Sequence, residues 1–429
     1  MADLIQPGRA SLIYCYVSGI PNFDGTVQNY HVQEMRLFED HCKAYFTGEL
    51  IIEAHQNVWE VLVAIGSEVE IAWEAPRSDN GPTKIYTETY RIYSYASKPR
   101  EGDTNNAMVI TLSIIGAEYY NDKQNTVLQS FANVPATVAA AAIHQQYVAE
   151  NGGLRVPLPS MGMAGLQQVP HEVNNKKPIK AIHDLLDKAV WAAYPSCACT
   201  YFRDKPGYMM APLQFLLETA PVVQSFAHQP DQASSIQQTI HGYDRIIQLR
   251  PQAPPAQDRG GSGGGAIGAL SSATSFFDLN SGNYLNSFQS LGAVIGGLTG
   301  NFQKIANGMK GGVKGRYGGR AMMSILDEKH QPSAIAKGGP GGYASAEEAF
   351  LAALGFADKY WISVPAQTGV NVTCGQRINV LYPFSGHAMI AKTLYVPRLI
   401  HELKFTEGKN RKQVTITGTT DIFAVHWGD

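Results

Sequence analysis

The first 120 residues set apolar against polar positions with a period of two, the spacing of strands that bury one face. The clearest run is Glu68-Val69-Glu70-Ile71-Ala72-Trp73-Glu74, which points Val69, Ile71 and Trp73 toward a core and the glutamates away from it. Similar runs occupy Ser11 to Val17, Tyr45 to Ala54, Ile85 to Tyr95 and Met108 to Ile115. Turn-forming residues separate them, as in Lys98-Pro99-Arg100-Glu101-Gly102-Asp103. Several short strands at this spacing hide their edges most simply by closing into a small antiparallel barrel.

From about Gln124 the period lengthens toward 3.6. A helix is expected from Pro135 to Glu150, with proline near its start and Asn151-Gly152-Gly153 as its stop. Pro178 opens a second, in which Ile179, Ile182, Leu185, Leu186, Ala189 and Val190 share one face and Lys180, Asp184, Asp187 and Lys188 the other, until Tyr194-Pro195. His183 falls on its polar side. Cys199 to Phe202 and Tyr208 to Leu213 read as strands joined by the turn Asp204-Lys205-Pro206-Gly207. Strand-like sequence resumes at Ile236 to Leu249 and is broken by Pro251, Pro254 and Pro255. A tract from Arg259 to Tyr343, about a quarter glycine, has the composition of a flexible linker. Ser345 and Glu348 form a capping box for a short helix at Ala346 to Leu354. Strands return at Trp361 to Val364, Arg377 to Leu381, Ala388 to Tyr395, Leu399 to Phe405 and Gln413 to Thr419.

The expected fold is therefore a β-rich α+β chain: two small antiparallel β-barrels flanking an α/β module, with a long glycine-rich insertion in the second barrel. The boundaries are 1–122 for the first barrel, 123–220 for the module and 221–258 for the start of the second barrel. The insertion takes 259–343, and 344–429 carries the short helix and the rest of the second barrel.

Composition narrows the function. A formal net charge of -2 over 429 residues argues against whole-surface attraction to nucleic acid or anionic membrane. Cys15, Cys42, Cys197, Cys199 and Cys374 are too few and too scattered to staple a chain this long, and read as reduced thiols. The opening MADLIQPGRA lacks the basic-then-apolar form of a secretory signal. Polar residues interrupt the uncharged stretch from Leu279 to Gln303 too often for a membrane span.

Candidate chemistry is sparse, and no catalytic, cofactor or metal site is expected. His171-Glu172 begins like a zinc-protease helix, but Asn175 stands where a second histidine is needed, leaving a solvated loop as the reading. Cys197-Ala198-Cys199 has no partner pair at finger spacing. Gly311-Gly312-Val313-Lys314-Gly315-Arg316 lacks the Lys-Ser or Lys-Thr ending of a phosphate loop. The basic run Lys304, Lys310, Lys314, Arg316 and Arg320 has no acid between Asp278 and Asp327 and reads as a contact loop. His183, on the polar side of its helix, and His401, within a strand, both read as structural.

Three blocks, in their order and spacing, resemble the baseplate or tail hub proteins of tailed bacteriophages, relatives of the hub part of type VI secretion spike proteins. The first is Tyr86-Thr87-Glu88-Thr89-Tyr90-Arg91-Ile92-Tyr93-Ser94, ending in Leu112 to Tyr119. The second is Lys177 to Leu186 followed by Tyr201-Phe202-Arg203-Asp204-Lys205-Pro206-Gly207-Tyr208. The third is Gly375-Gln376-Arg377-Ile378-Asn379-Val380 followed by Leu394 to Leu403. The resemblance covers most of the chain outside the insertion, which departs from the compact family pattern.

The resemblance implies a non-enzymatic virion protein of the tail baseplate, assembled in the bacterial host cytoplasm. It implies a homotrimer whose six barrels form a ring between a sixfold tail tube and a threefold central spike. The implied partners are further copies of itself, the tail tube protein, the central spike protein and other baseplate proteins, with DNA passing through without specific binding. In such a ring Glu68, Glu70 and Glu74 are candidate channel-facing residues, because like charge keeps phosphates from adhering. The alternative is a carbohydrate-binding β-barrel module of a host-recognition tail component, for which Tyr86, Tyr90, Tyr93 and Tyr95, on both faces of one strand, supply aromatic surface. A third reading, a tail-tip peptidoglycan hydrolase, lacks a compact stretch of sequence for a catalytic domain.

Overall fold

The computed structural model describes residues 10–75, 84–100, 107–149, 154–155, 169–186, 189, 199–212, 215–216, 220–228, 243–252, 272–278, 284–289, 320–326, 358–384, 388–407 and 414–426. The first strands are β1 (Ser11–Val17), β2 (Ile20–Pro21), β3 (Tyr30–Asp40), β4 (Thr47–His55), β5 (Glu68–Ala75), β6 (Lys84–Pro99) and β7 (Ala107–Gly116), with helix α1 (Gln56–Leu62) after β4. Next come α2 (Ala117–Gln124), β8 (Val127–Val134), α3 (Ala136–Ile143), β9 (Leu154–Arg155), β10 (Val169–Lys176), α4 (Pro178–Leu186), β11 (Cys199–Asp204) and β12 (Gly207–Pro212). Then follow β13 (Val222–Ala227), β14 (Asp244–Arg245), β15 (Gln248–Gln252), β16 (Ser272–Asp278), β17 (Tyr284–Gln289) and β18 (Arg320–Leu326). The chain closes with β19 (Asp358–Pro365), α5 (Ala366–Gly369), β20 (Arg377–Phe384), β21 (Ala388–Glu407) and β22 (Val414–His426).

Strands from both ends of the chain belong to one 14-stranded sheet. Pairing runs β21, β3, β4, β7, β6, β5, β1, β22 and returns to β21, a closed circuit. It encloses a core that includes Leu50, Ile52, Val69, Ile71, Trp73 and Leu112. A second path runs from β22 through β19 to β15, and from β14 through β13 and β20 back to β21. Its gap is closed by consecutive residues: Ile246 N–H donates to Ala227 O on one edge, and Ile247 N–H to Ser363 O on the other. This path encloses Phe226, Ile362, Val380, Leu399 and Ile422. The first circuit is antiparallel throughout, as expected, but β13 pairs in parallel with both β14 and β20. Long excursions lead into β14 and β20, and only a long connection allows a parallel pair.

Two long strands are common to both paths. β21 pairs with β20 over its first half and with β3 over its second, while β22 passes from β1 to β19. The sequence reading divides β21 into two strands at Pro397, yet it is continuous. A register shift between Tyr395 and Arg398 takes up the proline, which lacks an N–H for the ladder. β3 escaped the sequence reading for the same physical reason. A register shift between Val32 and Glu34 breaks its alternation, and Val32, Met35 and Leu37 still all face the core.

Between these groups, α3 and α4 pack on the β8–β10 ribbon and the β11–β12–β9 sheet around Ala139, Ile143, Ile182, Leu185 and Tyr201. α3 ends at Ile143, and the expected continuation is a π-helical turn, His144–Val148. α4 ends at Leu186 within the described residues. β15 runs through Pro251, where a break was expected; among the described residues it pairs there with β19 alone, and such an edge position tolerates the missing donor. The expected helix at Ala346 to Leu354 lies outside the described residues, as does the first half of the strand expected at Ile236 to Leu249.

Candidate functional site

The three sequence blocks, separated by up to about 300 positions, converge on one buried junction. The β11–β12 hairpin pairs Cys199 with Pro212 through to Asp204 with Gly207, which directs Arg203 and Lys205 between the two strand circuits. Arg203, only 4 % exposed, donates from Nη2 to Glu88 of β6 at 3.0 Å and lies 3.6 Å from Glu118 of α2. Its guanidinium also stacks over the Phe46 and Tyr208 rings, at 5.0 and 5.4 Å from their centroids.

Two residues on, Lys205 Nζ donates to Val370 O and Val372 O, both at 2.7 Å, and to His401 Nε2 at 2.7 Å, with Glu39 Oε1 3.2 Å away. The other oxygen of Glu39 accepts from Thr373 Oγ1 and from Cys374 N–H. His401 Nδ1 meets Thr420 Oγ1 at 2.9 Å. Beside this network Phe202 lies against Gly375, whose φ of +80° and lack of a side chain make room for the ring. Tyr395 and His41 join through a 2.5 Å hydrogen bond, with His41 tilted against Phe202.

The electrostatics follow from burial and pairing. Burial pushes the Glu39 carboxyl up, but Lys205, His401 and Thr373 outweigh it and hold the group at about 2. Glu88 goes the other way: burial raises it to about 7 against the pull of Arg203, and Glu118 adds to the rise. Burial and then the Lys205 charge depress His401 to about 4, so the imidazole is neutral. Two cations thus face three carboxylates, one of which holds its proton near neutrality. Such a cluster specifies how parts fit and need not stabilise them.

Other candidates fall elsewhere. Glu68, Glu70 and Glu74 lie on the outward face of β5 while Val69, Ile71 and Trp73 are buried, as read from the alternation. Tyr14 Oη donates to Glu70 at 2.6 Å, and Glu68 is exposed. His171 is not in a solvated loop: it is buried in β10 with Nε2 3.0 Å from Val134 O. His183, half-buried on α4, packs its ring edge-on to Tyr201 at 5.8 Å, a structural contact. On β6, Tyr86 and Tyr90 are buried and Tyr93 and Tyr95 exposed, divided between two faces as expected. Lys304, Lys310, Lys314 and Arg316 lie outside the described residues, and Arg320 opens β18. Cys15 and Cys374 are buried free thiols, and Cys199 is buried as well. Among the described residues no three His, Cys, Asp or Glu side chains are placed to hold a metal ion, and no helix is long and apolar enough to cross a membrane.

The sequence reading missed the junction apart from His401. Its charges sit at positions where the sequence pattern shows only polar residues, and most of their partners lie more than 100 positions away. Glu88 is the one legible sign: it falls between Tyr86 and Tyr90 on the inward face of β6.

No protein-family profile matches this chain, and no curated protein does. Solved structures do. The tail protein from Neisseria meningitidis MC58 aligns with a TM-score of 0.54 and 10 % identity, over 98 % of this chain and 97 % of that one. The 43 kDa tail protein of prophage MuSo2 from Shewanella oneidensis aligns with a TM-score of 0.51 and 9 % identity, over 97 % of each. A chain of the Francisella PdpA-VgrG complex aligns at a TM-score of 0.45 and 8 % identity, over all of this chain and 55 % of that one. The first two likenesses span whole chains and establish a shared fold.

Proposed function

We propose that this chain is a structural subunit of a bacteriophage tail tip, a baseplate hub that works as a homotrimer. The observation that carries the reading is the end-to-end sharing of fold with two tail proteins. The internal design is consistent with it. Each strand path acts as a small β-barrel, two per subunit, tied by the long strands β21 and β22. Three copies then supply six barrels, which suits a sixfold tail tube on one side and a threefold spike on the other.

In this reading the buried junction sets the angle between the barrels and the helical module, and the chemistry is mechanical. DNA passes through the ring without specific binding. Glu68, Glu70 and Glu74 would repel its phosphates wherever their face turns inward. The glycine-rich segment, with Lys304, Lys310, Lys314, Arg316 and Arg320, would contact other baseplate proteins.

The test is the mass of the purified protein in solution, alone and mixed with candidate tube and spike proteins. A trimer, alone or on mixing, supports the hub. A monomer that ignores both partners but shifts its melting temperature with polysaccharide supports the carbohydrate-binding reading, for which exposed Tyr93 and Tyr95 are the available aromatic surface.

A further inference from the structure

β6 changes partners along its length. β5 accompanies it from Lys84 to Arg91, and the turn before β5 seals one more residue: Gly66 N–H donates to Ile92 O at 2.8 Å and Ile92 N–H to Ser67 O at 2.9 Å. β7 holds the other side as far as Pro99. From Tyr93 onward no described strand lies on the side that β5 has left. Arg100 N–H donates to Ala107 O, which fixes the parity of the ladder. Ser94, Ala96 and Lys98 bond to β7, while Tyr95, Ser97 and Pro99 turn their backbone groups to the open side. Proline at such a position forfeits no bond, because its missing N–H faces the edge.

The same register sets Tyr95 opposite Leu112 and Ser97 opposite Ile110, on the face that looks inward. Leu112 and Ile110 are fully buried, yet Tyr95 is 43 % exposed and Ser97 is exposed as well. A core-facing tyrosine left in water marks a wall that stops one strand short. Lysine and proline blunt free edges, but Lys98 and Pro99 stand only at the far end of this one, and Tyr93 to Ser97 carries no charge.

We infer that the open edge of β6 from Tyr93 to Ser97 is a strand-addition site for an extended, uncharged segment of another tail protein. A row of unpaired N–H and C=O groups is complementary to extended backbone, and alternate side chains of the added strand supply selectivity. Apolar residues at every second position would cover Tyr95 and continue the wall of the first circuit. Pairing of this edge with the same edge of a second copy is a twofold contact that closes at two copies, so it does not build a threefold ring. The choice of a different protein as the occupant rests on the hub reading; the open edge does not.

The test uses the full chain, with candidate tube and spike proteins as probes. Hydrogen exchange is followed at the amides of Tyr95 and Ser97, and each should slow at least about tenfold when the partner binds. Ser97→Pro deletes one outward N–H, as Pro99 already does, and should weaken binding about tenfold. Ser97→Ala keeps the N–H and should bind as the wild type does. Should Ser97→Pro lose its strand signal in circular dichroism, Ser97→Lys replaces it as an inward charge on the edge, with the same expected loss. If a tail protein binds while both amides exchange unchanged, or binds Ser97→Pro equally well, the strand-addition site is overturned and the hub reading stands. A trimer that binds neither probe has the same meaning. Protection that grows with the concentration of the chain alone gives the edge to a second copy and overturns the assignment of a different protein. A chain that stays monomeric and binds neither probe removes the hub reading and the site together.

Discussion

Lys205 Nζ lies 3.2 Å from Glu39 Oε1 inside the protein, and the two side chains are 3 and 2 % exposed. The lysine belongs to a hairpin turn of the helical module and the glutamate to the end of β3, so a single ion pair joins parts of the fold 166 positions apart. Two ions buried this deeply are tolerable only together, because each alone would carry an uncompensated desolvation cost.

Removing one partner should therefore cost more than the pair contributes. Lys205→Met leaves Glu39 charged and buried, and is expected to lower stability by about 3–5 kcal/mol. Adding Glu39→Gln should recover part of that loss. Urea unfolding of the two single variants and the double variant measures it, and additive losses would refute the coupling.

Acid should loosen the fold through its buried histidines. Burial depresses His41 to about 3, and His144 and His401 to about 4, from the ordinary value near 6.5. The unfolded chain therefore takes up protons first. The stability linked to these groups is complete above about pH 6.5 and is lost as pH falls toward 3–4. Urea midpoints at pH 7, 6, 5 and 4 should fall steadily, and the fall should be smaller in a folded His401→Gln variant.

Glu88 supplies a dependence of opposite sign. Its folded value of about 7 lies above the ordinary 4.5, so folding favours the protonated acid. That contribution is complete below about pH 4.5 and is lost as pH rises through 7, by an amount on the order of 3 kcal/mol. Glu88→Gln keeps the shape without the ionisation, and its stability relative to wild type should rise between pH 5 and 8. A difference independent of pH would exclude ionisation of Glu88.

Gly375 tests the packing beside the ion pairs. A Cβ at this position would stand 2.3 Å from the Phe202 ring on a backbone with φ +80°. Gly375→Ala should cost at least about 1–3 kcal/mol, from strain at positive φ and from displacement of the ring. Phe202→Leu in the same chain should relieve part of the loss, read as a partial recovery of melting temperature.

The alternation at Glu68 to Glu74 determined the inward and outward faces of β5, because a strand half in water must send successive side chains to opposite sides. The same rule exposed the strands around Ile85, Met108 and Trp361, and the turn at Asp204 to Gly207 was legible from its proline and glycine. Three things were decided only in the folded molecule. β3 and β21 carry register shifts that erase the period on which pattern reading depends. Pairing of β1 with β22 and of β3 with β21 merges the two ends of the chain into one sheet, and hydrogen bonds between backbones leave no mark in the side-chain order. The charges of Arg203, Lys205, Glu39 and Glu88 look like ordinary surface residues along the chain. Only tertiary structure removes water from them and brings opposite charges within reach, and it does so because each is short of a partner until the others arrive.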